Sequence, residues 1–288
     1  MSPTHSRIKR SLQAIVGERH PDRSPRALDQ TAQYLASQFA KSGWAVTQQP
    51  FHALGGIFRN VVAIKTAKTS AKTSAPLIVG AHYDTVPGSP GADDNASGLV
   101  VLLEIADRLR DIAFSREVWL MAFCLEEQDR LGSQAVAARL KSDNQALAGV
   151  IILECVGFFT NRPSSQQIPP GVGQSVPTVG DFLAIVGNEA SQSLVRAIER
   201  TARLRVPGLK TESLVVPGVG EVLPHTRRSD HASFWDQGYP AVMLTDTANF
   251  RNPHYHRESD TIETLNIDSL ARVIDAVTAT TLDLAQVS

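Results

Sequence analysis

The chain has 288 residues, of which 42% are apolar and 20% are charged, and its formal net charge is −1. This composition is that of an ordinary globular protein, and the length fits a single large α/β domain. No basic excess is present to neutralise phosphates, and no segment approaches a membrane span or the apolar core of a signal peptide, so we expect a cytoplasmic protein without nucleic-acid or membrane partners.

The first strong pattern along the chain is a helix. Ser24 and Pro25 predict its N-cap and its first position, and Gly43 predicts its end. The apolar residues between them recur at helical spacing: Leu28, Ala32, Leu35 and Phe39.

A β-hairpin and a polar loop follow this helix. Residues 45–51 and 58–65 predict two antiparallel strands around the Gly55-Gly56 turn, at the edge of a sheet. Alternating Lys, Thr, Ser and Ala over 65–74 predict a surface loop without a chemical role.

Three short apolar runs predict strands that are buried on both faces. The runs cover 76–80, 118–125 and 149–153. Each is followed at once by acid or imidazole side chains: His82, Glu126-Glu127 and Glu154. Carboxylates at the mouth of a buried strand need partners or raised pKa values, which indicates a functional site rather than surface decoration.

The stretch GAHYDTVPGSPGADDNASG begins within the first of these runs. It places His82 at a strand end, where open α/β sheets bind their ligands. Residues two apart in an extended segment point the same way, so we expect Asp84 to accept the second ring N–H of His82 and leave the other nitrogen for a metal. The stretch ends with Asp93-Asp94, ahead of a helix predicted over 99–109.

Loops and regular elements alternate in the second half of the chain. A Pro-, Gly- and Ser-rich loop over 160–181 is long enough to be a lid, although a plain insertion is the alternative. The next predicted elements are a strand over 183–187, a helix over 191–204, a loop over 214–224 and a strand over 241–245. A loop over 249–260 carries Tyr255 and His256, and Asn266 is predicted to cap the last helix.

These elements predict an α/β fold with a mixed, mostly parallel central sheet flanked by helices. We expect one domain over 1–288, with a core over 20–288 and an N-terminal helical extension over 1–19. Cys124 and Cys155 each lie inside an apolar run, which predicts free buried thiols, with one disulfide as the alternative.

The strand ends and loops together supply a set of metal ligands. The candidates are His82, Asp94, Glu127, Glu154 and His256. Nitrogen and carboxylate ligands without thiolate suit catalytic Zn²⁺, and five of them indicate two ions that share one ligand. Glu126 is then left over as a general base, which takes a proton from a water shared by the metals and passes it to the leaving amine.

Each of these residues taken alone also has a structural explanation. His82 alone would be a hydrogen-bonded core histidine, and Asp94 alone a turn former or a helix N-cap. Their occurrence together at successive strand ends favours the metal site. Asp230 and His231 stay open between a place in the substrate pocket and a structural role.

The order of the motifs resembles that of the M28 family of zinc-dependent aminopeptidases. The motifs are HYD at 82–84, DNASG at 94–98, EE at 126–127, LECVG at 153–157 and YHRESDT at 255–261. The resemblance covers nearly the whole chain and implies a zinc-exopeptidase fold, a phosphorylase/hydrolase-type sandwich. It also implies two zinc ions per chain, one held by His82 and Glu154, the other by Glu127 and His256, with Asp94 as the bridge.

The resemblance carries three further implications. Glu126 matches the base of the family, and Tyr255 matches a tyrosine that in some relatives donates to the tetrahedral oxyanion. A cis peptide bond is implied between Asp94 and Asn95. Glu154 departs from the family pattern, because well-known relatives have an aspartate there, one methylene shorter, so the first metal is expected to be held differently.

Related M20 peptidases share the HxD motif but insert a dimerisation domain, for which the predicted elements leave no room. We therefore expect a di-zinc exopeptidase, an aminopeptidase that hydrolyses the N-terminal bond of a peptide or aminoacyl substrate. A single-zinc, glutaminyl-cyclase-like acyltransferase and a non-catalytic binding relative are the alternatives. The complete ligand set and Glu126 favour hydrolysis, and the oligomeric state stays open.

Overall fold

A computed structural model describes residues 3–67, 75–173 and 177–285. Its helices are α1 (Pro3–Ile15), α2 (Pro25–Lys41), α3 (Gly98–Arg108), α4 (Leu131–Ser142), α5 (Gln192–Arg205), α6 (His231–Trp235) and α7 (Ile267–Ala285). Its strands are β1 (Ala45–Ala53), β2 (Gly56–Lys65), β3 (Leu77–His82), β4 (Val118–Phe123), β5 (Gly149–Glu154), β6 (Phe182–Asn188), β7 (Lys210–Val216) and β8 (Ala241–Thr245). Most of the predicted polar loop, 68–74, and the part of the later loop at 174–176 lie outside the described residues.

The eight strands of the described ranges form one sheet in the order β1-β2-β4-β3-β5-β8-β6-β7. The central strands β4, β3, β5 and β8 run parallel, and β7 is parallel to β6. The pairs β1–β2, β2–β4 and β6–β8 are antiparallel. The prediction of a mixed, mostly parallel sheet is therefore confirmed, and the carboxyl ends of the four central strands meet at one edge.

Helices cover both faces of this sheet. One apolar cluster joins α1, α2, α3, α5 and α7 to the face that carries Val79 and Leu153. A second cluster joins α4 and α6 to the opposite face, which carries Ile78 and Ile152. Because β3 and β5 are buried on both faces, their sequences are uninterrupted apolar runs. Cys124 and Cys155 are buried and free, as expected.

The N-terminal helix α1 belongs to the first of these layers. Its residues Ile8 and Leu12 are fully buried, and the helix contacts α3 and α7. Among the described helices, none combines the length and the hydropathy that crossing a bilayer requires.

From residue 24 onwards, the helices and strands predicted with both bounds begin and end within two residues of the observed ones, whereas the N-terminal helix ends at Ile15, before the end of the extension predicted over 1–19. The loop predicted over 214–224 is wrong at its start, because Leu214–Val216 are the last residues of the edge strand β7. Ser24 is the N-cap of α2 by position, but its hydroxyl makes no capping bond and instead accepts the backbone N–H of His20 at 2.8 Å. Asn266 does cap α7, because its Oδ1 accepts the backbone N–H of Ser269 at 2.9 Å.

Candidate metal centre

The candidate ligands lie at the carboxyl edge of the central strands. His82 and Glu154 are the last residues of β3 and β5, and Glu127 lies in the segment after β4. Asp94 lies in an irregular helical turn over Ala92–Ser97 that leads into α3. His256 comes from the loop after β8. Residues separated by up to 174 positions, from His82 to His256, are thus gathered at one point of the sheet edge.

Two donor groups share the carboxylate of Asp94. In the first group, Nε2 of His82 lies 3.1 Å from Asp94 Oδ1 and 3.5 Å from Glu154 Oε2. In the second group, Nε2 of His256 lies 3.1 Å from Asp94 Oδ2 and 3.3 Å from Glu127 Oε2. Within each group the donor atoms lie within 4.8 Å of one another, close enough to hold one ion.

The unpaired atoms of the site fit a metal ion. Within the described part of the chain, three of its buried atoms have no hydrogen-bond partner: His82 Nε2, Asp94 Oδ1 and Glu127 Oε1. Buried polar atoms without partners are rare in folded proteins, and two of these, His82 Nε2 and Asp94 Oδ1, lie 3.1 Å apart in the first donor group. Imidazole nitrogen and carboxylate oxygen, without thiolate, form the donor set that catalytic zinc uses.

The carboxylate of Asp94 stays charged although it is buried. Burial favours its neutral form, but the imidazoles of His256 and His82, each 3.1 Å away, hold the pKa of Asp94 well below its usual range. Asp260 fixes this segment, because its carboxylate accepts the backbone N–H of Asp93 at 2.9 Å and of Asp94 at 3.2 Å. The peptide bond between Asp94 and Asn95 is cis, as the resemblance implied.

Neighbouring side chains hold the longer acid at position 154. Ser229 Oγ donates to Oε2 of Glu154 at 2.6 Å, and Cys155 Sγ donates to Oε1 at 3.4 Å. A glutamate in place of aspartate is therefore accommodated by two donors that fix both of its oxygens.

The side chain of Asp84 lies too far from His82 for the hydrogen bond that the sequence predicts. Its Oδ1 lies 3.7 Å from His82 Nδ1, and the backbone carbonyl of Asp84 takes up the ring N–H instead, at 3.2 Å. The Asp84 carboxylate accepts the backbone N–H groups of Glu126 and Glu127, both at 3.1 Å. The chain leaves the sheet after His82, so the two-residue periodicity of a strand no longer applies at Asp84.

The backbone of Glu126 and Glu127 is thereby held in place. Glu127 belongs to the second donor group, and Glu126 lies beside it. Burial raises the pKa of Glu126 well above its usual value, and the charges of Glu154 and Glu127 raise it further. Burial likewise raises the pKa of Glu127 to about 7. Glu126 can also meet His82 and Glu127 in a third cluster of ligand atoms, so it lies within reach of either metal position.

Tyr255 lies flat against His256, with ring centroids 3.8 Å apart and 16° between the ring planes. Its hydroxyl oxygen accepts a hydrogen bond from Arg228 Nη2 at 3.2 Å, and Arg228 Nη1 donates to Asn249 at 2.7 Å. Burial raises the pKa of Tyr255, so the phenol keeps its proton. Arg228 was missed in the sequence, where nothing distinguishes it from the adjacent Arg227, which pairs with Asp236.

A cavity of about 250 Å³ extends from Glu154 and Tyr255 over the strands β6, β7 and β8. Its floor is mainly apolar and includes Phe182, Ala184, Leu214 and Met243. The loop over 160–181, which the sequence predicts to be a lid or a plain insertion, forms one wall through Gln166, Pro169 and Pro170. Gln166 ties this wall to the loop of His256, since its Oε1 accepts a hydrogen bond from Arg251 Nε at 2.8 Å.

His231 and Asp230 are fully buried beside the site. The ring of His231 binds the backbone carbonyl of Thr226 at 2.7 Å and packs edge-on against Trp235, and burial lowers its pKa to about 3. These contacts give His231 a structural role. Burial raises the pKa of Asp230 to about 7, and the negative charge of Glu154 adds to this.

Comparison with known proteins identifies the family of the chain. The family model of peptidase family M28 matches residues 60–281. The uncharacterized protein YfbL of Escherichia coli (strain K12) is 33% identical over 296 residues, which cover 96% of this chain and 88% of that protein. The solved structure of BSAP, a zinc aminopeptidase from Bacillus subtilis, has a TM-score of 0.62 at 26% identity over 82% of this chain.

The chain spans about half of BSAP, 52% of its length. Porphyromonas gingivalis glutaminyl cyclase has a TM-score of 0.69 at 20% identity, with 97% of this chain and 96% of that chain covered, which shows a shared fold alone. The match to residues 60–281 includes all five candidate ligands. The chain therefore belongs to peptidase family M28.

Proposed function

We propose that the protein is a two-zinc aminopeptidase that removes the N-terminal residue of a peptide or aminoacyl substrate. The observation that carries this proposal is the position of Asp94, whose two oxygens each lie 3.1 Å from a different histidine. Two donor groups that share one carboxylate are the arrangement a pair of ions needs. The likeness to a zinc aminopeptidase supports the same assignment.

The residues of the two groups divide between the two ions. His82, Glu154 and Asp94 Oδ1 would hold the first, and His256, Glu127 and Asp94 Oδ2 the second. When bound, zinc supplies Lewis-acid polarisation of the substrate carbonyl and lowers the pKa of water.

Glu126 acts as the general base in this proposal. Its backbone N–H is fixed by Asp84, and its carboxyl group lies beside the donor groups without being needed by either. It takes a proton from the attacking water and delivers it to the nitrogen of the leaving amine. Together with Glu154 it also offers carboxyl oxygens as acceptors for the free ammonium group of the substrate.

Tyr255 donates a hydrogen bond to the oxygen of the tetrahedral intermediate. Because its own oxygen accepts from Arg228, its proton is free to point into the cavity. A donor that is held in place before the charge develops stabilises the transition state more than the ground state. The apolar cavity then receives the side chain of the N-terminal residue, which predicts a preference for apolar residues.

A single-zinc glutaminyl cyclase is the second candidate, and the shared fold with such an enzyme favours it. A chromogenic aminoacyl-amide panel, assayed with and without a chelator, tests the proposal. We expect release of apolar residues from free-amine substrates, none from their N-acetylated forms, and two zinc ions per chain in titration. One zinc per chain together with cyclisation of N-terminal glutamine would instead establish the cyclase, and chelator-resistant turnover would refute both.

A further inference from the structure

Arg19 is a charged side chain that is enclosed beneath the metal centre. It lies between α1 and α2 and is 1% exposed. The family model begins at residue 60, so Arg19 belongs to a segment outside that match. A buried arginine needs acceptors for all of its N–H groups, and the position of these acceptors shows what it holds together.

The guanidinium of Arg19 joins two segments of backbone. On one side, its Nη1 donates to the carbonyls of Ile15 at 3.0 Å and Gly17 at 2.6 Å, at the end of α1. On the other side, it donates to three carbonyls of the segment over 83–91: Tyr83 at 2.7 Å, Pro90 at 2.9 Å and Gly91 at 3.1 Å. This segment connects His82 to the turn that carries Asp94.

The guanidinium of Arg19 and the backbone of Asp94 both lie close to Gly91. A Cβ atom placed on Gly91 would lie 2.8 Å from Arg19 Nη2 and 2.4 Å from the carbonyl oxygen of Asp94. Gly91 has a φ of +61°, so the position excludes a side chain on backbone grounds as well. The space that a side chain at position 91 would need therefore borders both Arg19 and Asp94, the residue that both donor groups share.

The charge of Arg19 is directed at the same residues. Among the described residues, the hydrogen bonds of its guanidinium all go to main-chain carbonyls, so no bonded carboxylate neutralises it. Burial lowers the pKa of Arg19 to about 10, which keeps it charged at neutral pH, and the charges of Asp84, Asp94, Asp260 and Glu127 act against that lowering. Attraction between these charges is strong because water is excluded.

We propose that Arg19 is a positioning residue of the metal centre. It fixes the segment over 83–91 so that Asp94 faces both histidines, and its charge offsets part of the negative charge of the carboxylates. The N-terminal segment is therefore a part of the site. This inference rests on the proposed metal centre.

The test is the zinc affinity of metal-free protein, measured by competition with a fluorescent chelator. Arg19→Met removes the bonds and the charge. Arg7→Met is the matched control, because Arg7 lies on α1 but donates to Glu104 on α3, at 3.0 and 2.9 Å. We expect zinc affinity to fall about tenfold or more for Arg19→Met, the size of effect typical of residues that orient ligands, and to stay near the wild-type value for Arg7→Met. The Tm of both metal-free variants is recorded beside the affinity.

Two results would overturn the inference: wild-type zinc affinity in Arg19→Met, or an equal loss in Arg7→Met, which would assign the effect to the docking of α1. If Arg19→Met does not fold, Arg19→Lys is compared with Arg7→Lys, since lysine keeps the charge but not the planar fork of donors. Weaker zinc binding in Arg19→Lys alone supports the inference, and equal binding in the two refutes it. Wild-type protein that binds no zinc would refute the proposed function instead.

Discussion

The carboxylate of Asp84 lies 3.7 Å from the imidazole of His82, while the main-chain carbonyl of the same aspartate lies 3.2 Å from it. The carboxylate instead holds the backbone of Glu126 and Glu127. In Asp84→Asn, the amide NH₂ replaces one of the two carboxylate oxygens. It would face a backbone N–H group, and because both groups are donors, that hydrogen bond would be lost. We expect kcat to fall about 10- to 100-fold and the stability by about 1–3 kcal/mol.

Steady-state kinetics and chemical denaturation of the Asp84→Asn variant check this prediction. Asp275→Asn, at an exposed ion pair with Arg108, is the control and should change neither quantity measurably. A wild-type kcat in Asp84→Asn would mean that the backbone of the acid pair needs no such anchor.

Glu126→Gln tests the general base. Glutamine keeps the shape of the side chain but cannot accept the proton of water, so we expect kcat to fall about 10²- to 10⁴-fold. Zinc content should stay at the wild-type level, because the donor groups include other residues. Elemental analysis and kinetics on one preparation measure both, with Glu199→Gln on α5 as a remote control. Retained turnover would assign the base elsewhere.

Ser229→Ala removes the hydroxyl that donates to Glu154 at 2.6 Å. The first donor group then loses the bond that orients its longest acid, and we expect its zinc affinity to fall about 10- to 100-fold while the second group is unchanged. Zinc titration should resolve two phases. Ser233→Ala is the matched control, since this serine is also buried but bonds Ser133. Equal titrations of the two variants would contradict the prediction.

Tyr255→Phe removes the proposed donor to the oxyanion and leaves the ring that stacks on His256. Loss of one such donor lowers kcat by about 10²- to 10³-fold with little change in KM. Tyr239→Phe, whose hydroxyl donates to the backbone carbonyl of Gln145, is the control that should keep both parameters. A rise in KM at constant kcat would assign Tyr255 to substrate binding rather than to the transition state.

Zinc binding should release protons from His256. Burial alone would lower the pKa of His256, but its hydrogen bonds to Asp94 and Glu127 raise it to about 10 in the metal-free protein. A histidine raised in this way stabilises the fold fully below its unfolded pKa of about 6.5, and this contribution is lost as the pH rises towards 10. Zinc needs the neutral ring, so its apparent affinity should rise over the same interval.

Calorimetry in two buffers of different ionisation enthalpy counts the protons that are released. We expect at least one per chain at pH 8, and a zinc-induced increase in Tm that grows from about pH 6.5 to 9. Zinc binding without proton release at pH 8 would show that His256 is neutral in the metal-free protein.

The strands that position the site could be predicted because they are buried on both faces. Every residue of β3 and β5 is buried, so each strand is an apolar run that ends abruptly at its ligand. The edge strand β7 has the opposite character. Its first six residues are exposed or partly exposed and mostly polar, and among the described strands it pairs only with β6, so its sequence does not differ from a loop.

Within the site, the candidate ligands could be identified from the sequence because each belongs to a local motif at a strand end or in a loop. Arg19 could not, since its acceptors are main-chain carbonyls up to 72 positions away and no side chain is needed to match them. Arg228 was missed because its partner, the side chain of Tyr255, lies 27 positions away and no local motif joins the two. Only the folded chain shows these contacts.

The order in which the donors occur along the chain has a consequence for biosynthesis. His82, Asp94 and Glu154 all lie within the first 154 residues to be translated, but the second group waits for His256. Asp260, whose carboxylate holds the amides of Asp93 and Asp94, follows four codons later. The proposed second cation position therefore forms only after His256 has been translated, 102 residues after Glu154, the last donor of the first group, so the proposed pair of ions is loaded after that point.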